Sequence, residues 1–172
     1  MPLTPLVIYN EPVFSAVSPT AGGATHNQIA ELKAYADKGY LHMQFHGTTA
    51  SWTGTKLNIY IYDGGTDSDP DAPYMEWKIK KTAHEIHASS IAISTSSLGT
   101  ITMGGVNCIT SVTSSGDQTY WTISIPRKAS SAMMASSGTV YLGVMVQDDT
   151  WACTAAVPEI WVDADMVEVT IP

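Results

Sequence analysis

Apolar and polar residues alternate with a period of two through most of this chain, with β-branched and aromatic side chains enriched where they do. Clusters of Gly, Ser, Asp and Pro separate these runs, and helical periodicity is almost absent. From Tyr40 to His46, Leu41, Met43 and Phe45 share one face and His42, Gln44 and His46 the other. The preceding run, Ile29 to Ala36, joins it through "DKG", where Asp37 and Gly39 supply turn chemistry, so the two form a hairpin. Lys56 to Asp63 repeats the arrangement, with Leu57, Ile59 and Ile61 inward and Asn58, Tyr60 and Tyr62 outward. In Tyr74 to Lys80, Met75, Trp77 and Ile79 face inward and Tyr74, Glu76 and Lys78 outward. The stretch between these two runs, "DGGTDSDPDAP", is then a long hairpin loop.

Further strands are expected over Glu85 to Ser94, Thr100 to Met103, Val106 to Val112, Thr119 to Ile125, Val140 to Gln147 and Val167 to Ile171. "TVYLGVMVQ" is apolar on both faces, as in a strand covered on both sides. "RKASSAMMAS", Arg127 to Ser136, is the one short helix, lying in a crossing between strands. About ten strands with this punctuation predict an all-β fold, a single-domain antiparallel β-sandwich of jelly-roll or immunoglobulin-like type, with a closed barrel as the second choice. The domain spans 1–172, with residues 1–12 as an extended arm.

Length adds that 172 residues suffice for one substantial core without staples. Charge adds more. Only 14% of residues are charged and the formal net charge is −8, which repels phosphate backbones and anionic membranes, so neither nucleic acid nor anionic lipid is an expected partner. No apolar run approaches the ~20 residues of a membrane helix, so membrane insertion is not expected. The start, "MPLTPLVIY", lacks the basic and long apolar regions of a secretory signal. It reads as a mature domain with an initiator Met, or as a protein that does not use that route. Scarcity of Lys and Arg with abundant Ser and Thr leans toward an extracellular or particle-surface setting. Cys108 and Cys153 could pair in an oxidising compartment or remain two buried thiols.

Candidate chemistry starts with the acidic stretch. Alternate Asp67, Asp69 and Asp71, with Asp63, could converge carboxylates on calcium, which takes six to eight oxygen ligands. The stretch is not an EF-hand, because the sixth and twelfth positions of that pattern are Ala72 and Lys78. A hydrated turn is the plainer reading. "HEIH", His84 to His87, does not fit zinc: on a strand those side chains leave opposite faces. His42 and His46 share a face but stand ~13 Å apart at ~3.3 Å per residue. No Gly-x-Ser-x-Gly elbow or phosphate-cradling loop is present. Glu31, Glu76 and Glu85 could supply a carboxylate pair, but their separation cannot be read from sequence, and the protein is not expected to be an enzyme.

If the runs containing residues 40–46, 56–63 and 74–80 are neighbours, their outward faces assemble His42, Gln44, His46, Asn58, Tyr60, Tyr62, Tyr74, Glu76 and Lys78. Rings interleaved with amide, imidazole and carboxylate groups suit a sugar, whose C–H face stacks while its hydroxyls find donors and acceptors. A solvent-facing or partner-facing sheet would carry the same residues. Trp77 and Trp121 fall on the apolar phase and read as core. Trp52 and Trp151 lie in loops, where indoles commonly anchor ligands. Trp161, in "WVDAD", breaks the alternation and suggests a bulge.

Three stretches carry a resemblance: "IAELKAYADKGYLHMQFHG", "TKLNIYIYDGGTD", and "YWTISIPRKA" with "TVYLGVMVQDD". Their order resembles that of the family 9 carbohydrate-binding module and DOMON-like sandwich superfamily, over about Ile29 to Asp149. The resemblance implies a sugar-binding sandwich, with calcium sometimes structural, or in DOMON relatives a b-type haem held by Met and His. By position it makes Asp63 the acidic end of a strand and Trp52 and Trp151 sugar-binding candidates. Met43 and His42 lie on opposite strand faces, so no haem ligand pair is defined.

The expected function is therefore a non-catalytic carbohydrate-binding module recognising a neutral glycan through Trp52, Tyr60, Tyr62, Tyr74, Trp151, His42, Gln44, Asn58 and Glu76. Calcium stabilisation through Asp63, Asp67, Asp69 and Asp71 is part of that expectation. The alternative is a self-assembling, homo-oligomeric sandwich subunit of a virion, filament or surface layer, its arm adding a strand to a neighbour.

Overall fold

A computed structural model describes residues 15–17, 29–63, 66–67, 78–79, 84–134, 138–157 and 167–172, and the statements below concern these residues. Five strands form one sheet in the order β1-β2-β3-β11-β10: β1 is Ser15–Val17, β2 Glu31–Ala36, β3 Tyr40–Thr48, β10 Ile109–Ser115 and β11 Gln118–Pro126. The second sheet runs β13-β12-β4-β7, with β4 Lys56–Tyr62, β7 Glu85–Ala92, β12 Gly138–Gln147 and β13 Cys153–Val157. In it β14, Val167–Ile171, shares one side of β12 end to end with β13: β13 pairs with Val144 to Gln147 and β14 with Gly138 to Leu142. Two short ribbons, β5 (Thr66–Asp67) with β6 (Lys78–Ile79) and β8 (Thr102–Met103) with β9 (Val106–Asn107), complete the strands. All pairings are antiparallel.

The inner faces of both sheets meet in one core. Leu32, Leu41, Met43, Phe45, Trp121, Ile123 and Ile125 come from the first sheet, and Leu57, Ile59, Ile61, Leu142, Val144, Val146, Val169 and Ile171 from the second. Each large side chain so buried contributes roughly 1.5–3 kcal/mol, and Phe45 stacks on Trp121 at 5.3 Å between centroids. The predicted all-β sandwich is thus the observed architecture, and the expected helix appears as a 3-10 turn, Arg127–Ala129, followed by α1, Ser131–Met134. The β2–β3 hairpin has the predicted partners and turn: Asp37 Oδ1 accepts from the N–H groups of Gly39 (2.7 Å) and Tyr40 (2.8 Å). No helix among the described residues is long and apolar enough to cross a membrane.

Three expectations change. β3 and β4 lie in different sheets, because a 3-10 turn, Thr49–Ser51, carries the chain across the end of the core. The sheet neighbours of β4 are β12 and β7, not the run from Tyr74 to Lys80, and the acidic stretch belongs to an excursion containing the β5–β6 ribbon. β13 and β1 were not expected at all. Cys108 and Cys153 are not joined in a disulfide; Cys108 is half-buried and Cys153 buried, its thiol 3.5 Å from Ala155 O.

Candidate functional site

The outer face of the first sheet is a regular grid. Its cross-strand rows are Glu31–His46–Tyr120–Thr113, Lys33–Gln44–Thr122–Ser111 and Tyr35–His42–Ser124–Ile109. His46 stacks on Tyr120 at 4.9 Å and donates from Nδ1 to Gln118 Oε1 at 3.0 Å. Gln44 Nε2 donates to Thr122 Oγ1 at 3.1 Å.

His42, expected at a binding surface, is only 3% exposed. Its Nε2 donates to Asp37 Oδ2 at 2.9 Å, and its Nδ1 shares a hydrogen bond with the Ser124 hydroxyl at 2.8 Å. Tyr35 stacks on the ring at 4.5 Å. Burial alone would raise the Asp37 carboxyl, but hydrogen bonds from His42, Gly39 and Tyr40 and the charge of His42 hold it below its ordinary value. The order Asp–His–Ser is that of a hydrolase triad. Here, however, Ser124 is buried in mid-sheet, and the amides around it face the ladders to β3 and β10 rather than an oxyanion. The array works as a clamp between the β2–β3 turn and β11. Arg127 strengthens it, donating Nη1 to Asp37 O at 3.0 Å while its N–H donates to Gly39 O at 2.9 Å.

On the second sheet, Lys56, Asn58, Tyr60 and Tyr62 alternate along the outward face of β4. Tyr62 is fully buried there, stacked on Tyr141 at 5.5 Å beside Met145, Cys153 and Ala156. Tyr60 is half-buried and stacks on His87 at 6.0 Å. Asn58 is buried and joins three elements. Its Oδ1 accepts from Ser90 N–H at 3.0 Å, and its Nδ2 donates to Gln147 Oε1 at 3.0 Å. Gln147 Nε2 in turn donates to the carbonyl of Trp151 at 2.9 Å.

This amide relay links the two non-glycine residues with positive φ among those described, Ser90 at 57° and Trp151 at 69°. Ser90 lies where β7 bulges against β4, next to the register shift between Leu57 and Ile59. A bulky side chain at positive φ is uncommon and costs on the order of 1–3 kcal/mol, so the surroundings must enforce it. They do so in the turn 148–152. Asp148 Oδ1 accepts from the Thr150 hydroxyl and N–H, both at 2.7 Å, and from Ala152 N–H at 3.1 Å. The Thr150 hydroxyl above all, with those two N–H groups and the charge of Lys56, holds the Asp148 carboxyl below its ordinary value. Trp151 N–H closes on Asp148 O at 3.1 Å. Lys56 Nζ donates to the same carbonyl at 3.0 Å and lies 4.3 Å from the centroid of the indole. The result is an indole 55% exposed on a rigid mount.

No protein-family model matches this chain, and no curated protein matches it. The resemblance to carbohydrate-binding sandwiches therefore rests on the order of elements alone, and the site must be argued from its geometry.

That geometry sorts the candidate residues into separate places. Asn58, Tyr60, Tyr62 and Trp151 belong to the second sheet and its Trp151 turn, whereas His42 and Gln44 lie on the outward face of the first sheet. The single platform built from all of them is thereby divided. Trp52 is half-buried rather than displayed: it leans on Trp121 at 4.4 Å and donates Nε1 to Gly54 O at 2.8 Å. A side chain at Gly54 would collide with Val146 and Trp52, so the indole packs over a gap that only glycine leaves. Asp63 accepts from His84 N–H at Oδ1 and from His84 Nδ1 at Oδ2, both at 2.7 Å. Tyr74, Glu76, Asp69, Asp71, Trp77, Trp161 and the arm lie outside the described residues, as do the side chains of Asp67 and Lys78. Among the described residues no group of three or more His, Cys, Asp or Glu could hold a metal ion. Sequence reasoning missed Gln147, Asp148 and Lys56. "QDDT" before Trp151 was the available signal, since Asp at the head of a tight turn often accepts from the N–H two residues on.

Proposed function

We propose that this protein is a non-catalytic carbohydrate-binding domain anchored by Trp151, acting in an extracellular or particle-surface setting. One observation carries the reading: a half-exposed indole is held at positive φ by side chains from β4, β12 and the Asp148 turn. Packing does not explain a bulky residue presented in this way, and strain of this kind concentrates where a side chain must be aimed. A rigid aromatic face gives a neutral sugar a stacking surface with little entropy left to lose on binding. Lys56 lies over the ring and is 3.9 Å from Asp149, so a donor and an acceptor for sugar hydroxyls stand next to the stacking surface.

The test is a glycan array followed by titration of any hit. Trp151→Ala should weaken binding at least tenfold while the melting temperature stays within about 2 °C, because an exposed side chain contributes little to folding. Trp52→Ala should do the reverse, costing about 3 kcal/mol as a large aromatic leaves the core edge. Binding that survives Trp151→Ala, or no binding across the array, would end this reading. Calcium enters the proposal through the acidic excursion, where an ion would share Asp63 with His84. The same titration in millimolar calcium and in chelator should differ if the ion orders the site, and identical curves would remove calcium.

A further inference from the structure

β10 ends its sheet: β11 lies on one side and no described strand on the other. Its seven residues, ITSVTSS, contain no charge, proline or glycine, in a chain whose net charge is −8. All but Thr110 and Val112 are exposed, and Ile109 is 60% exposed. Sheets ordinarily guard such an edge with lysine, proline or a bulge, because its free N–H and C=O groups template pairing with another chain. A two-residue turn, with Gly116 at φ 62°, joins Ser115 to Gln118. That turn makes Ser115 and Gln118 a hydrogen-bonded pair, so the backbone groups of Thr113, Ser111 and Ile109 also face β11. Those of Ser114, Val112 and Thr110 face away from the sheet.

We infer that β10 pairs antiparallel with β10 of a second copy of this chain, about a two-fold axis through Val112. In this register Val112 faces Val112, Thr110 faces Ser114 and Ser111 faces Thr113. All three outward-facing residues find backbone partners, hydroxyl meets hydroxyl and valine meets valine. No charged residue lies within the paired strands, so the join avoids the like-charge contacts that a net charge of −8 makes costly elsewhere. The interface is self-complementary, as a two-fold dimer requires. At ~3.4 Å per residue the paired strands run only ~24 Å, less than a standard stable interface, so the dimer is a weak and concentration-dependent one. The inference does not depend on glycan binding.

Sedimentation equilibrium of the full chain from micromolar to millimolar concentration tests it. The expected result is a mass rising from one chain toward two. Ser111→Lys with Thr113→Lys sets lysine against lysine twice across the axis and should hold the chain monomeric at every concentration with its melting temperature unchanged. Ser111→Lys with Thr113→Glu sets opposite charges at the same places and should restore the dimer, more strongly at low salt. This second variant separates loss of the interface from loss of the fold. A wild-type chain monomeric at millimolar concentration overturns the inference, even if removing residues 1–12 then permits dimerisation, which would assign the edge to the chain's own arm. Equal dimerisation by the double-lysine variant also overturns it, because the contact would then lie elsewhere.

Discussion

At the scale of single residues, Asn58 and Gln147 show how two neutral side chains fix a distant backbone. Each is on the outward phase of its strand, yet both are buried, and every hydrogen bond described for their amides goes to the protein itself. Asn58→Ala should leave Ser90 N–H and the Gln147 amide short of partners, at a cost of about 1–3 kcal/mol. Urea unfolding measures that loss, and fluorescence anisotropy should report a more mobile Trp151. A loss under about 0.5 kcal/mol with unchanged anisotropy would show that the relay does not hold the turn. The phase of Asn58 was legible in the sequence, since alternation assigns faces well. Its burial was not, because that depends on which strand lies alongside. The same limit explains His42 and Tyr62, both outward by phase and both buried.

At the scale of elements, alternation identified β2, β3, β4, β7, β11, β12 and β14 within a few residues. The runs it missed are physically weak signals: "SAV" is three residues long, and "CTAAV" is small side chains without clear alternation. The turn between β2 and β3 was legible through Asp37 and Gly39, but its tie to β11 was not, because Ser124 and Arg127 are distant in sequence. That tie has an acid signature. The folded Asp37 carboxyl titrates below its ordinary 3.8, so its contribution is complete above pH 3.8 and is lost as pH falls through the lower folded value. Asp37→Asn should therefore be less stable than wild type at pH 5–7, with the gap closing below pH 3.8. Denaturant melts at fixed pH values check this; a gap unchanged down to pH 2 would mean that the Asp37 charge contributes nothing.

At the scale of the whole molecule, the fold class was readable but the division of strands between sheets was not. Nothing local marks Thr49–Ser51 as the crossing that parts β3 from β4, and this parting splits the expected aromatic platform. The two sheets are joined by packing, and the two cysteines add no covalent link. A reducing agent should accordingly leave the melting temperature unchanged, and thiol titration in denaturant should count two. In the folded chain Cys108 should react slowly, because burial pushes its thiol up to about 11 and leaves little thiolate at neutral pH. A melting temperature lowered by several degrees on reduction would mean that the thiols pair after all. The base of the acidic excursion has a further consequence. Tyr62 is already in register with Glu85, and Asp63 and His84 close the hairpin above them through both backbone and side chains. Whatever chain leaves at Asp63 must return at His84, so this closure sets where the excursion begins and ends. Doubling such a loop adds only about 0.6 kcal/mol of closure cost. The sandwich thus has a built-in port, where new sequence can be carried on the closed pair Tyr62–Glu85 while the register of β4 on β7 stays as it is.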